Sequence, residues 1–122
     1  MEYSLEMRVN QRVLELDGKA WKLDFDMQAL SYAEQVYLSE YGRDVNVSGI
    51  IAELTEAKLT AVMAFCYGAM RSAGERLTWE AFSKTVFTWE HFDKVFALVS
   101  DAILELFSGG EGEAAQEDDP KN

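Results

Sequence analysis

The sequence predicts a mainly α (α+β) fold: an N-terminal β-hairpin, a bundle of about four to five helices, and a disordered acidic C-terminal tail. Three observations predict it. Apolar residues recur with a period near two as far as Phe25 and with a helical period from Asp26 onward. Helix-start residues (Asp26, Asn46, Thr78, Thr88) and stop glycines (Gly42, Gly74) punctuate that second region. From Gly109 to Asn122 no branched aliphatic or aromatic side chain occurs. That segment has nothing to bury against an ordering cost of roughly 1–2 kcal/mol per backbone residue. One domain over residues 1–108, followed by a tail or linker over 109–122, is the organisation expected of 122 residues.

In the first 25 residues Val13, Leu14 and Leu16 lead into Asp17-Gly18, and Trp21, Leu23 and Phe25 alternate with Lys22 and Asp24. That is the pattern of two half-buried strands around a tight turn. Leu5, Met7 and Val9 alternate with Glu6 and Arg8 and would supply an extra strand over Leu5 to Val9. Asp26 then caps a helix with Met27, Leu30, Ala33, Tyr37, Leu38 and Tyr41 on one face, ended by Gly42. Glu34 falls inside that stripe, so its carboxylate must reach the rim, find a cation or donor, or face a partner.

Asn46 caps a short helix carrying Val47, Ile50, Ile51 and Leu54, and Thr55-Glu56 reads as the start of the next. That next helix is the most hydrophobic in the chain. Leu59, Val62, Met63, Cys66, Met70 and Ala73 mark one face, while Ala61, Ala64, Phe65 and Tyr67 make the others apolar, so it runs through the core and stops at Gly74. Thr78-Trp79-Glu80-Ala81-Phe82 is echoed ten residues later by Thr88-Trp89-Glu90-His91-Phe92. The echo reads as two similar helix starts, one short and one long, each with a Thr cap and an acidic first turn. The long helix carries Phe92, Val95, Phe96, Val99, Ala102, Ile103 and Leu106 on one stripe.

The net charge of −11 comes with no basic cluster, which argues against nucleic acid and anionic membrane as ligands. A single cysteine, Cys66, excludes an intrachain disulfide and suits a reducing compartment. Met1–Asn10 lacks the apolar run of a signal peptide, and no stretch approaches about 20 apolar residues, so a soluble cytosolic protein is expected. Enzyme chemistry finds little here. The one histidine, His91, has no sequence neighbour that makes it a base for a nucleophile and is expected to face solvent. Cys66 lies in the most apolar helix. No Cys/His spacing suits zinc, no calcium-loop pattern occurs, and no glycine-rich phosphate loop joins a strand to a helix. Neither a catalytic residue nor a cofactor is therefore expected.

Aromatics crowd one window: Trp79, Phe82, Phe87, Trp89, Phe92 and Phe96 fall within 18 residues. Core filling accounts for most of them. The alternative is that one or two Trp residues form an exposed anchor, so Trp79, Phe82, Trp89, Phe92 and the in-stripe Glu34 are the candidate partner-binding residues.

The layout of hairpin (Val13 to Phe25), Asp-Met-Gln-Ala-Leu helix start (Asp26 to Leu30), in-helix Glu, Leu-Thr-Trp-Glu entry and acidic tail resembles the tail assembly chaperones of long-tailed bacteriophages and prophages. The resemblance covers roughly residues 10 to 107 and rests on layout. It implies binding to a tape measure protein, recruitment of tail tube protein, no catalytic residues, action in the bacterial host cytoplasm, and absence from the mature virion. It also implies a frameshift-extended form in a fraction of chains, which the terminal Pro120-Lys121-Asn122 permits, since Lys-Asn can be encoded by a slippery AAA-AAY. The chain's five Met residues and aromatic corner suit adaptable apolar contacts, including self-association. Two rival readings stand beside it: an acidic protein-binding inhibitor or nucleic-acid mimic, and a minor virion structural protein. Carboxylates interspersed with Lys and Arg count against the mimic.

Overall fold

The computed structural model describes residues 10–109. A two-stranded antiparallel sheet is followed by five helices in these residues. The strand expected over Leu5 to Val9 and the acidic tail beyond Gly109 lie outside the described residues.

The hairpin joins β1 (Asn10–Leu16) to β2 (Lys19–Phe25), with Leu14 opposite Trp21 and Leu16 opposite Lys19. Asp17 and Gly18 turn the chain with positive φ at both positions (51° and 80°). This is the mirror-image turn whose twist matches paired strands. Alternation works as the sequence implies: Leu14, Leu16, Leu23 and Phe25 are buried, whereas Val13 is exposed. Trp21 is half-buried under the Lys19 ammonium, 4.4 Å from its ring centre.

Helix α1 (Met27–Tyr41) starts at Asp26, whose side chain accepts from the Ala29 N–H, and closes at Gly42 in the left-handed region. Its buried face differs from the expected one. Ala29, Leu30, Ala33, Val36 and Tyr37 face inward, whereas Met27 (68 % exposed) and Leu38 (59 %) face outward. The reason is the neighbour. Helix α3 (Leu59–Ser72) approaches so closely at Gly68 that a Cβ there would collide with the Ala29 carbonyl oxygen. Such proximity selects small residues on α1 at Ala29 and Ala33 and rotates the larger Met27 and Leu38 away.

Helix α2 (Val47–Thr55) starts at Asn46, whose side chain accepts from Gly49 N–H, and buries Ile50 and Leu54. Thr55 and Glu56 do not open the next helix. Thr55 Oγ1 donates to the Ala52 carbonyl, Glu56 is the C-cap, and Ala57 takes a left-handed conformation (φ 57°), so both residues close α2. Helix α3 therefore begins at Leu59 without a side-chain cap. It is the central element, as its all-round hydrophobicity implies: Ala61, Val62 and every residue from Ala64 to Met70 are buried. Gly74 follows its end with φ 94°, and the Glu75 N–H bonds back to the Met70 carbonyl.

Helix α4 (Trp79–Thr85) is capped by Thr78, which accepts from Ala81 N–H at 3.1 Å. The echo at Thr88 behaves differently. Thr88 Oγ1 accepts from His91 N–H at 3.3 Å, but this closes only a turn, and α5 (Phe92–Leu104) begins three residues later than its sequence counterpart. A π-helical turn, Glu105–Gly109, extends α5. Val95, Val99 and Ala102 of α5 are buried. The hairpin is tied to this helix by polar contacts: Asn10 Nδ2 to the Ala102 carbonyl (3.2 Å), Arg12 to Asp101 and Glu105, and Lys94 Nζ to the Glu15 carbonyl (2.7 Å). Within the core Phe25 meets Phe65 edge-on at 5.0 Å.

Candidate functional site

The crowded aromatics form a continuous run of rings. Tyr37, Tyr41 and Trp79 follow one another at 5.2 and 5.9 Å, Trp79 and Tyr67 both contact Phe82 at 5.4 Å, and Phe82, Phe87, Phe92 and Phe96 continue at 6.0, 5.9 and 5.3 Å. Most contacts are edge-on or tilted, as ring quadrupoles favour. The run begins inside the domain and ends at its surface.

That gradient sorts the candidate residues. Phe82 is fully buried and presents no surface to a partner. Trp79 is half-buried, boxed by Tyr41, Tyr67 and Phe82. Trp89 is 89 % exposed, tilted on the half-buried Phe92 at 5.7 Å, and Phe92 stacks in turn on Phe96. Glu34 is half-buried on α1, one turn before Tyr37 on a side shared with Met27 and Leu38, with no hydrogen bond or ion pair to a described residue. The five candidates therefore do not converge. Trp89 and Phe92 form one surface feature, Glu34 belongs to another, and Trp79 and Phe82 belong to packing.

The surface feature extends along α5. Phe92, Phe96, Ser100 and Ile103 follow one another at spacings of four, four and three residues and share one side of the helix, with Phe107 next on that side in the π-helical turn. At the far end a cavity of about 340 Å3 opens between α5 and the α2–α3 junction. Leu54, Ala57, Val62, Ile103 and Phe107 give it a predominantly apolar lining. A partly covered apolar stripe thus runs from Trp89 to the cavity. Sequence reasoning missed its second half, because Ile103 reads as core by helical period and the α2–α3 junction that forms the opposite wall was misplaced at Thr55.

One cluster of titratable groups ties α1 to α2. Tyr37 Oη donates to Glu53 Oε1 at 2.7 Å, and Arg43 pairs with Glu53 at 2.7 Å. The Arg43 guanidinium and then the Tyr37 hydroxyl hold the Glu53 carboxyl below its usual range. Burial first, and the Glu53 contact second, raise the Tyr37 phenol, and burial pushes Tyr41 up to about 12. Burial also pushes the Cys66 thiol up to about 12, so it stays a thiol at neutral pH rather than a nucleophilic thiolate. His91 does not face solvent freely as expected. Its ring is 12 % exposed and its Nε2 lies 3.1 Å from Asp17 Oδ2 of the hairpin turn.

Among the described residues no helix is long and apolar enough to cross a membrane. Comparison with protein-family models, curated proteins and solved structures returns no match.

Proposed function

We propose that this chain is a tail assembly chaperone of the long-tailed phage type, holding an apolar helical segment of a tape measure protein and helping to recruit tail tube subunits. The observation that carries the reading is the partly covered apolar stripe of α5, from Trp89 and Phe92 to the cavity at Ile103 and Phe107, on a chain of net charge −11. A chaperone needs an apolar groove for its client and a charged body that keeps the complex dissolved. The hairpin-then-helices layout that prompted the resemblance accords with it. On this reading the client lies along α5, and Trp89 is the anchor, since an exposed Trp in the turn that leads into α5, tilted on Phe92, suits a binding hot spot.

The test is co-expression with the tape measure protein of the same phage, scored by the soluble fraction of the client and by its co-purification. The full chain should keep the client soluble. Trp89→Ala and Phe96→Ala should each release it, while Met27→Ala on α1 should not. Retention of the client by both the Trp89 and the Phe96 variants, folded as judged by circular dichroism, overturns the placement on α5. Failure of the unaltered chain to hold any tape measure segment overturns the chaperone reading itself.

A further inference from the structure

We propose that Asp17, Glu90 and His91 form a binding site for a borderline divalent transition ion of the Zn2+ type, clamping the hairpin turn to the start of α5. One ligand atom from each of the three lies within 4.8 Å of the others. They come from two chain segments more than 70 residues apart, brought together by the packing of β1 along α5.

The donor set selects the ion. One imidazole nitrogen with two carboxylates suits Zn2+ and its neighbours, whereas Mg2+ and Ca2+ prefer all-oxygen shells. Metal–ligand bonds of about 2.1 Å place tetrahedral ligands about 3.4 Å apart, so the trio needs only a modest contraction. The pieces that must move are the ones free to do so. Asp17 and Glu90 are exposed, whereas the largely covered His91 ring is held in place by packing. Three protein ligands leave a coordination position for water.

Charge points the same way. Two carboxylates lie close to one imidazole, and the Lys94 ammonium bonds the Glu15 carbonyl at 2.7 Å and pairs with neither of them. A divalent ion would neutralise the pair and satisfy the imidazole together. The Asp-Gly turn fixes where the first ligand stands, since both its residues hold positive φ. The proposal is independent of the chaperone reading, as the site sits at the hairpin turn and requires no client.

The experiment is titration of the full, chelator-treated chain with ZnCl2 by isothermal calorimetry, with MgCl2 as control and thermal unfolding in parallel. Saturable binding of one Zn2+ per chain with a higher melting temperature is expected, and Mg2+ should give neither. Glu90→Gln and Asp17→Asn, which keep the turn and the helix start, should each weaken Zn2+ binding at least about tenfold, the low end of what loss of even an outer partner costs a metal site. His91→Ala should abolish it. Absence of saturable Zn2+ binding, or binding that survives Asp17→Asn and Glu90→Gln unchanged, overturns the proposal and leaves His91 and Asp17 as a simple hydrogen-bonded contact.

Discussion

Replacing Gly68 by Ala tests the close approach of α3 to α1. An added Cβ would overlap the Ala29 carbonyl oxygen and lie 3.1 Å from its carbonyl carbon and 3.3 Å from Tyr32 Cβ. The first two are backbone atoms of α1, so no rotamer change relieves the clash. Carbon atoms pack best at about 3.5–4.0 Å, so the two helices must separate by on the order of 1 Å along the most extensive helix–helix interface. Overpacking costs about 1–3 kcal/mol, with the upper end expected where backbone must move. Helix propensity opposes it, since Ala gains about 1 kcal/mol over Gly in a helix interior. The balance is a loss of about 2 kcal/mol, or a melting temperature lower by about 8–16 °C for a domain of this size. Gly49→Ala is the control, because its Cβ meets the Val45 side chain at 2.7 Å, and a side chain can turn aside. It should change stability by less than about 0.5 kcal/mol. Equilibrium urea unfolding followed by far-UV circular dichroism reads both variants. A Gly68→Ala protein as stable as the parent would refute the reasoning, because propensity alone would then govern the position.

The two tryptophans should separate cleanly in the same assay. Trp79→Ala opens a gap among Tyr41, Tyr67 and Phe82 and should cost about 3 kcal/mol, whereas Trp89→Ala at the surface should stay within about 0.5 kcal/mol. Alkaline conditions should unfold the protein through its phenols. Because the folded state raises Tyr37 and Tyr41 above the ordinary value of 10.0, their contribution is complete below pH 10 and is lost as pH rises towards 12. Tyr41→Phe should flatten melting temperature against pH in that window, and an unchanged slope would contradict the assignment. Glu53 works in the opposite sense. Its lowered pKa gives stability present above the ordinary carboxylate range and lost on acidification, so Glu53→Gln should reduce the acid sensitivity of melting. Cys66 should resist a thiol reagent in native buffer and react with one equivalent once urea unfolds the chain; rapid native labelling would contradict its burial.

The elements legible in the sequence were those with local signals. The hairpin follows from alternation around Asp17-Gly18, and the starts of α1, α2 and α4 follow from side chains that cap three residues ahead, at Asp26, Asn46 and Thr78. Local signals also misled. Thr55 has the chemistry of a cap, yet its hydroxyl turns back to Ala52, because the left-handed Ala57 ends the helix there. Thr88 caps a single turn that does not propagate into a helix until Phe92. On α1 the eye follows large apolar residues, but the buried face was decided by how near α3 comes, which is a property of Gly68 rather than of α1 itself. The candidate site was half legible. Trp89 and Phe92 stand out by composition, whereas the cavity wall and the Asp17–His91 contact depend on segments far apart in sequence, where periodicity carries no information.

The hairpin's attachment to α5 has a consequence for the order of folding. Asn10, Arg12, Glu15 and Asp17 meet partners between His91 and Glu105, at sequence separations of 74 to 95 residues. These are the most widely separated hydrogen bonds among the described residues, and their loop-closure entropy must be met before they return anything. On a ribosome, the hairpin and α1 emerge well before α5 and have no α5 to dock against until the tenth and eleventh decades of the numbered sequence have been made. Strand β1 is thus made long before the helix that secures it. Until then the apolar side of the hairpin, Leu14, Leu16, Leu23 and Phe25, is shielded mainly by α3, with a smaller contact from α1, and the nascent chain's solubility depends on how soon α3 forms.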